Sequence, residues 1–365
     1  MTLDDIKSKV RRVMRVMLVS ILAGANIATV VLLWLLCLST HLEPTIHPRV
    51  SQAGLLFPVF LGINLLFILV WCIVSWRWTL LPTLGIAACW SYVSDYCPIN
   101  FEADVPKTSY TVLSFNVAGF INEPENDFDA WKSLDYITTS GADVIFLQEC
   151  PKSGTIFTHL KHKMDSLGYH DREEGGLHIF SKWPFFGKNR YIGASSQGNG
   201  TLACFAIING DSIMLVNNHL QSNSISQQEK NEYGNAMEHY DKDKMTASGR
   251  LLLSRLTRAA SKRAEQTEVL CELIKENEKY SMIVGGDMND TPISYTFQRI
   301  SRLLKNAFTE SGTGMGISFN KKGFPVRIDH IFISRDLKTH GTRIDNEIRS
   351  SDHYPIITRV YKSAK

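Results

Sequence analysis

Two long stretches without a charged residue constrain the fold of this 365-residue chain more than any other feature. They cover residues 17–39 and 53–76. Each is longer than the roughly 20 residues with which a helix crosses a hydrocarbon core about 30 Å thick. Both are therefore predicted to span a membrane. A cleavable signal peptide is the alternative for the first stretch, but its length and the second stretch close behind it favour a retained anchor.

A third apolar segment, residues 78–94, is shorter and contains Pro82, which suits the first turn of a helix. It is predicted to cross the membrane as well, with an interfacial position as the alternative. The N-terminus carries Lys7, Lys9, Arg11, Arg12 and Arg15, whereas residues 40–52 contain only Arg49. By the positive-inside rule the N-terminus is cytoplasmic. Three crossings of a cell inner membrane then put the rest of the chain outside the cytoplasm, and two crossings would keep it inside.

Residues 1–95 are accordingly assigned to a membrane anchor, residues 96–108 to a polar linker and residues 109–363 to one large domain. In this domain short β-branched runs alternate with helical patterns over residues 127–140, 155–167 and 251–277. The pattern predicts an α/β fold in which helices flank two sheets. A long polar stretch, residues 225–248, is interpreted as a lid or mobile loop. The strand-like runs are YTVLSFNV, ADVIFLQE, LHIFSK, LACFAIING, SIMLVNNHL, SMIVGGDMN, RIDHIFIS and PIITRVYK.

The charge balance argues against a dedicated nucleic-acid binder. Beyond residue 107 the chain contains 31 Lys and Arg against 30 Asp and Glu, which is not the basic footprint of a duplex-binding domain. The one local basic cluster is predicted to be mostly a solvated helix face, with phosphates or anionic lipid heads as alternative contacts. It consists of Arg250, Arg255, Arg258, Lys262 and Arg263. The seven cysteines show no metal-type spacing and leave the redox compartment open.

Polar residues close or follow most of the apolar runs, where α/β proteins build sites from several loops. Each alone has an ordinary explanation, such as a turn residue or a buried histidine. Together they contain what attack of water on a phosphate ester needs: carboxylate oxygens such as that of Glu149 for a hard divalent cation, a histidine tuned by a carboxylate as base, and amide or imidazole donors for the phosphoryl oxygens. The residues are Asn116, Glu149, His219, Asp287, Asn289, Asp329, Asp352 and His353.

Six segments that carry these residues resemble, in the same order, the motifs of the endonuclease/exonuclease/phosphatase superfamily, which includes deoxyribonucleases, inositol polyphosphate 5-phosphatases and neutral sphingomyelinases. They are SFNV, LQE, HLQS, GGDMND, RIDHI and SDHYPI. The resemblance covers roughly residues 109–361. It implies a four-layer α/β sandwich, in which two mixed sheets pack face to face with helices outside. HLQ is similar to the sphingomyelinase-like branch, although no aromatic-rich hairpin for membrane entry is present in the sequence.

By this resemblance Glu149 is the main metal ligand, Asn116 supports it, and Asp352 lies on the metal side of the cleft. The metal implied is Mg²⁺, with Mn²⁺ as an alternative. His353 is implied to be the general base, and Asp329 orients its ring. These residues would lie at strand ends because the reaction needs them to be held rigidly at the floor of the cleft.

The same resemblance gives the remaining residues roles toward water and phosphate. Asp287 would position or activate the attacking water. Asn289 would donate to the phosphate, and His219 would donate to a phosphoryl oxygen or help to protonate the leaving group. Asn116, His219 and Asn289 are thus the expected substrate-binding set.

The favoured function is a membrane-anchored, metal-dependent hydrolase of phosphate esters, with phospholipid head groups as a candidate substrate and the bilayer as its partner. An anchor keeps the site near lipid head groups and so raises their local concentration. A membrane-tethered nuclease is the first alternative, and a non-catalytic scaffold with the same fold is the second. No protein partner is implied.

Overall fold

The computed structural model describes residues 2–101, 105, 108–121, 128–193, 198–223, 242–319 and 325–362, with side chains of helix residues 242–247 left out. Most of the stretch interpreted as a lid, residues 225–248, therefore lies outside the described residues. The chain begins with four helices, which are α1 (Leu3–Ser39), α2 (Phe57–Val74), α3 (Leu80–Ala87) and α4 (Trp90–Tyr96). Two 3-10 helices, Val50–Leu56 and Trp76–Thr79, flank α2.

Two of these helical segments, Leu3–Ser39 and Val50–Val74, are long and apolar enough to cross a membrane. Most of their apolar surface is not covered by the protein, and Leu35, Leu69 and Ile73, for example, are 54, 63 and 88% exposed. Soluble core helices bury such side chains, whereas lipid-facing helices leave them uncovered. The two helices join through buried polar groups, because Asn26 donates to Oδ1 of Asn64 over 3.1 Å.

The third apolar segment is not one helix, since α3 and α4 are separated by a turn at residues 88–89. It runs beside α1 in the same direction as α1. Trp34 Nε1 donates to the carbonyl of Gly85 over 2.8 Å, and seven residues further along both segments His41 Nε2 lies 2.8 Å from the hydroxyl of Tyr92. The segment thus returns from the far end of α2 to the end of α1 that faces the large domain.

The large domain contains twelve strands in the described part of the chain. The first six are β1 (Tyr110–Asn116), β2 (Val144–Gln148), β3 (His170–Glu174), β4 (Leu177–Ser181), β5 (Phe185–Gly193) and β6 (Gly200–Ile208). The others are β7 (Asp211–His219), β8 (Ser281–Asp287), β9 (Lys305–Asn306), β10 (Asp329–Ile333), β11 (Leu337–Ile344) and β12 (Ile356–Lys362). Its helices are α5 (Ala130–Thr139), α6 (Thr155–Ser166), α7 (Lys242–Glu276), α8 (Tyr295–Ser301) and α9 (Ala307–Ser311).

The strands form two mixed sheets of six strands each. The first sheet has the order β11-β12-β1-β2-β4-β3 and the second β5-β6-β7-β8-β10-β9. Each contains one parallel pair at its centre, β1 with β2 and β7 with β8, whereas their other pairings are antiparallel. The carboxyl ends of the two parallel pairs lie at the edge where the site is found.

Three apolar clusters fill the spaces between four layers. Residues such as Val144, Phe146 and Ile283 pack between the sheets. A second cluster packs α5 and α6 on the outer face of the first sheet, and a third packs α7 and α8 on the outer face of the second. Helix α5 begins where Asp129 accepts hydrogen bonds from the backbone of Trp131 and Lys132. The expected four-layer sandwich, with apolar helices before it, is confirmed.

Candidate active site

The side chains singled out in the sequence lie at one edge of the sandwich, at facing strand ends. Asn116 ends β1 and Glu149 follows β2, both in the first sheet. In the second sheet His219 ends β7 and is in register with Asp287 at the end of β8, and Asp287 is in register with Asp329 at the start of β10. The sheet registers therefore bring together residues that are far apart in the sequence.

Asn116 joins the carboxylates of the two sheets. Its Nδ2 donates to Oε1 of Glu149 over 3.1 Å and to Oδ2 of Asp287 over 3.0 Å. The side chain itself is held, because its Oδ1 accepts from the backbone of Ala118 and its carbonyl accepts from Ser351 Oγ. One amide group thus fixes the spacing of two negative charges across the cleft.

Glu149 occupies a left-handed backbone conformation with φ of 52°. For a residue other than glycine this costs about 1–2 kcal/mol. The conformation turns the side chain out of the end of β2, so that the Glu149 side chain is 43% exposed at the cleft while Gln148 before it is fully buried. A strained residue with an accessible carboxylate fits a group that contacts ligand.

His353 and Asp329 form a tight pair. Nδ1 of His353 donates to Oδ2 of Asp329 over 2.8 Å, and its Nε2 points into the cleft, 3.6 Å from Oδ2 of Asp287. Burial disfavours the charged ring, but the negative charges of Asp329 and Asp287 outweigh it and raise the pKa of His353 well above its usual value. Burial also raises the pKa of Asp287, and the positive charge of His353 opposes that shift.

His219 approaches the same carboxylates from the other side. Its Nε2 lies 3.5 Å from Oε1 of Glu149 and 3.8 Å from Oδ2 of Asp287, and it has no hydrogen-bond partner among the described residues. Its Nδ1 faces the carbonyl of Gly198 at 3.4 Å. A buried ring nitrogen without a partner, aimed between two carboxylates, is available to a ligand in the cleft.

The positions of Asn289 and Asp352 give less direct support for the roles expected of them. Asn289 has φ of 52°, and its amide Nδ2 donates to the carbonyl of Leu220 over 3.1 Å, so one of its two side-chain hydrogens is already used. Asp352 is half-buried beside His353, and its charge helps to raise the pKa of that histidine. The expected contacts of Asn289 with phosphate and of Asp352 with metal stay predictions.

The donor set fits a hard divalent cation. Ligand atoms of Asp287, Asp329 and His353 lie within 4.8 Å of one another. Glu149 adds an accessible carboxylate next to them, and Oδ1 of Asp329 is buried without a hydrogen-bond partner among the described residues. Carboxylate-rich surroundings with a free oxygen suit Mg²⁺ or Mn²⁺.

Several residues that shape the site were missed in the sequence. Gly286 has φ of 130°, and a Cβ there would overlap the backbone of Asn218, so the second glycine of GGD allows β7 and β8 to bring His219 and Asp287 together. Ser318 Oγ accepts from the backbone of Asp329 over 3.0 Å. The glycine pair and the asparagine pair of NNH were signals in the sequence, whereas Ser318 offered none.

The basic cluster on α7 is mostly a solvated face, with Arg250, Arg258 and Lys262 exposed and Arg255 half-buried, but Arg263 is an exception. Its side chain is buried, and the residue is 1% exposed. The guanidinium of Arg263 donates to the carbonyl of Gln221 over 3.0 Å and to Oδ1 of Asn223 over 2.8 Å, and lies 3.4 Å from Oδ2 of Asp290. It therefore links the loops that follow His219 and Asp287.

A cavity of about 440 Å³ opens over Glu149 and His219. Its wall includes the glycine turn between β3 and β4, and Gly119, Asn199 and Ser222 complete the lining. A wall built largely from glycines leaves backbone groups open to a ligand. The volume accommodates a phosphate ester and the groups next to it.

An oxygen-rich metal cleft with a His–Asp pair, at the edge of a four-layer sandwich, defines a metal-dependent hydrolase of phosphoric ester bonds. The chain belongs to the Endonuclease/Exonuclease/phosphatase family, whose model matches residues 113–353. A domain of unknown function, DUF8431, matches residues 19–96. Comparison with curated proteins gives no match.

Solved structures share the fold at low sequence identity. An Endonuclease/Exonuclease/phosphatase family protein from Bacteroides thetaiotaomicron is 17% identical, with a TM-score of 0.51 over 71% of this chain and 99% of its own. The corresponding protein from Beutenbergia cavernae is 14% identical, with 0.50 over 71% and 72%. D. rerio TDP2 complexed with single strand DNA product is 16% identical, with 0.50 over 70% and 100%.

Proposed function

We propose that this protein is a membrane-anchored, Mg²⁺-dependent hydrolase that acts on phosphate esters of phospholipid head groups. The observation that carries the chemical part is the arrangement around Asn116. It links the carboxylates of Glu149 and Asp287 across the cleft, and Nε2 of His353, whose ring Asp329 orients, lies 3.6 Å from Oδ2 of Asp287. Oxygen ligands, a base and donors then surround one point where a phosphorus atom can sit.

Each residue has a distinct role in this proposal. In its neutral form His353 takes the proton of the attacking water, and Asp329 keeps its Nδ1 protonated so that Nε2 faces the cleft. Asp287 accepts a hydrogen bond from the same water and positions it. Unpartnered Nε2 of His219 donates to a phosphoryl oxygen or to the leaving oxygen, and Asn289 contributes a further donor.

Glu149, with Asn116 and Asp352, would hold the divalent cation. When bound, Mg²⁺ supplies a positive charge that stabilises the charge gathering on the phosphoryl oxygens, and Mn²⁺ is the alternative ion. Glu149 is the residue of this set with the most accessible carboxylate in the cleft.

The lipid assignment is supported by the apolar helices and by their position. The return of α3 and α4 beside α1 supports three passes, with the catalytic domain opposite the N-terminus. By the positive-inside rule, the five basic residues before position 16 favour a cytoplasmic N-terminus, and three passes would then put the catalytic domain outside the cytoplasm. A cleft held at the end of such helices meets head groups before any soluble substrate.

We predict that a reporter fused after Lys365 works only outside the cytoplasm. A pair of reporters makes the test sharp, because an enzyme that needs an oxidising compartment and a fluorescent protein that needs the cytoplasm should give opposite readings. The same pair fused after Thr79, between α2 and α3, is the control and should report the cytoplasm. Cytoplasmic fluorescence from the Lys365 fusion would mean that the third segment does not cross.

A nuclease is the second candidate. It is favoured by the fold shared with D. rerio TDP2, whose structure was obtained with a single strand DNA product. The near balance of acidic and basic residues beyond residue 107 is unfavourable for a protein that must hold a polyanion.

A substrate panel separates the candidates. The full chain in detergent with Mg²⁺ is given bis-p-nitrophenyl phosphate, p-nitrophenyl phosphate, plasmid DNA and mixed phospholipid micelles. Release of phosphate or head group from the lipids is the expected result, together with turnover of at least one nitrophenyl ester. Nicking of the plasmid without lipid turnover would replace the lipid hydrolase by the nuclease, and a chain that is inert on all four would favour the scaffold.

A further inference from the structure

The N-terminal helices contact the catalytic domain at several points, and one of these points is a loop of the active site. This loop, residues 288–294, follows Asp287 at the end of β8 and leads into α8. It has no regular structure, yet it is buried along most of its length, and Met288, Asn289 and Ile293 are 1, 8 and 2% exposed. Its backbone is paired in part, since Met288 donates to the carbonyl of Ile328 over 3.0 Å, and contacts of other kinds contribute to holding it in place.

The first contact is a backbone approach at Gly54. This residue is buried in the 3-10 helix Val50–Leu56 and faces the carbonyl of Ile293. A Cβ at position 54 would lie well inside van der Waals contact with that carbonyl oxygen. The side chain of Ile293 enters an apolar cluster whose other buried members come from the helices of residues 3–96, hereafter the N-terminal unit, namely Leu33, Cys37, Phe57, Ile86 and Cys89.

The second contact runs through Gln298 of α8. Its Nε2 donates to Oδ2 of Asp95 over 2.9 Å and to the carbonyl of Pro292 over 3.2 Å. Asp95 lies in the last turn of α4. One amide group thus ties the end of the N-terminal unit to the backbone of the loop, one residue from the contact at Gly54.

The other end of the loop holds a catalytic carboxylate. The backbone amide of Asn289 donates to Oδ1 of Asp287 over 2.8 Å. His330 Nε2 donates to the carbonyl of Asp290 over 2.9 Å, and burial lowers the pKa of His330 to about 3, so the ring is neutral. A displacement of residues 290–293 would therefore reach Asp287 through the peptide group of Asn289.

We propose that the N-terminal unit is a structural part of the active site as well as an anchor. It positions residues 288–294 through Gly54 and Asp95, and these residues position Asp287. Gly54, Ile293, Asp95 and Gln298 are positioning residues, since none of them touches the cleft. The proposal gives residues 19–96 a role in catalysis that is independent of where the protein is located. It rests on the function proposed above only where turnover is the readout.

The test compares Gly54→Ala with Gly62→Ala in the full chain in detergent. Gly62 lies in α2, and an added Cβ there has nothing within 4 Å. The substrate is bis-p-nitrophenyl phosphate, or whichever small ester of the panel turns over, because a soluble substrate does not depend on an anchor. We expect Gly54→Ala to lower kcat at least about tenfold while KM changes by less than about threefold. The reason is that the substitution displaces Asp287 but leaves the groups that bind the substrate in place. Gly62→Ala should stay within about twofold of wild type in both constants.

Hydrogen–deuterium exchange of residues 288–294 is the second readout. It should increase in Gly54→Ala and stay unchanged in Gly62→Ala, whether or not the protein turns over any ester. An inert wild type with this exchange pattern would defeat the proposed function but not the present inference. Wild-type exchange and wild-type kcat in a folded Gly54→Ala protein would overturn the inference.

A second pair of variants covers the case in which Gly54→Ala does not fold. Gln298→Leu removes the donor that joins Asp95 to Pro292, whereas Gln298→Lys keeps a donor of similar reach. Faster exchange of residues 288–294 in the leucine variant, restored by lysine, supports positioning through this link. Equal exchange in wild type and Gln298→Leu contradicts it.

Discussion

Replacement of His353 by alanine is expected to lower kcat at least about a hundredfold, as loss of a general base commonly does. The ring is held by Asp329 at 2.8 Å and faces the cleft through Nε2, close to Asp287. Alanine removes the base and leaves the carboxylates in place, so metal affinity should change less than turnover. The measurement is kcat and KM on the best ester of the panel at saturating Mg²⁺.

A matched control is His170→Ala, since His170 is exposed on the edge strand β3. It should keep the wild-type kcat. A smaller loss in His353→Ala would transfer the role of base to Asp287, whose pKa is raised by burial. In that case Asp287→Asn, which keeps the shape of the side chain, should show the larger loss.

Glu149→Gln is expected to lower kcat about 10²–10³-fold and to raise the Mg²⁺ concentration needed for half-maximal activity. Glutamine retains an oxygen that can accept from Asn116 Nδ2, so the 3.1 Å hydrogen bond can survive while the charge is lost. A bound cation stabilises transition-state charge by several kcal/mol, which corresponds to this range of rates. Activity is measured against Mg²⁺ concentration, with and without EDTA.

Glu174→Gln is the control for charge removal, because Glu174 is exposed at the end of β3. Its Mg²⁺ dependence should match that of wild type. Activity that survives both EDTA and Glu149→Gln would rule out the metal assignment. Loss of activity with an unchanged Mg²⁺ requirement would instead mean that Glu149 contacts substrate.

The strands that the sequence predicts are the interior ones. All eight apolar runs correspond to strands with neighbours on both sides, whereas β3, β5, β9 and β11 were not predicted, and these are the four edge strands of the two sheets. An edge strand is half solvated, and β3, with the sequence HDREE, has no apolar run to detect. The hydrophobic pattern of the sequence therefore detects the interior strands of each sheet but not its edge strands.

For the site, the sequence indicates which residues end strands but not what holds them. Asn116, His219 and Asp329 could be collected because each closes an apolar run. The burial of Arg263 could not be predicted, because its partners come from loops far away in the sequence and its own helix looks polar. The link from Asp95 to Gln298 spans 203 residues and likewise has no local pattern.

The docking of the N-terminal helices on the loop after Asp287 has a kinetic consequence. A catalytic domain joined to its anchor by a flexible linker would sample many orientations and a wide range of distances from the membrane. On the proposed membrane anchor, the contacts with residues 288–294 would instead hold the cleft at one height and one tilt over the bilayer. With the proposed lipid substrate, the enzyme would then meet it by lateral diffusion in two dimensions, and its rate would follow the surface density of the lipid rather than any bulk concentration.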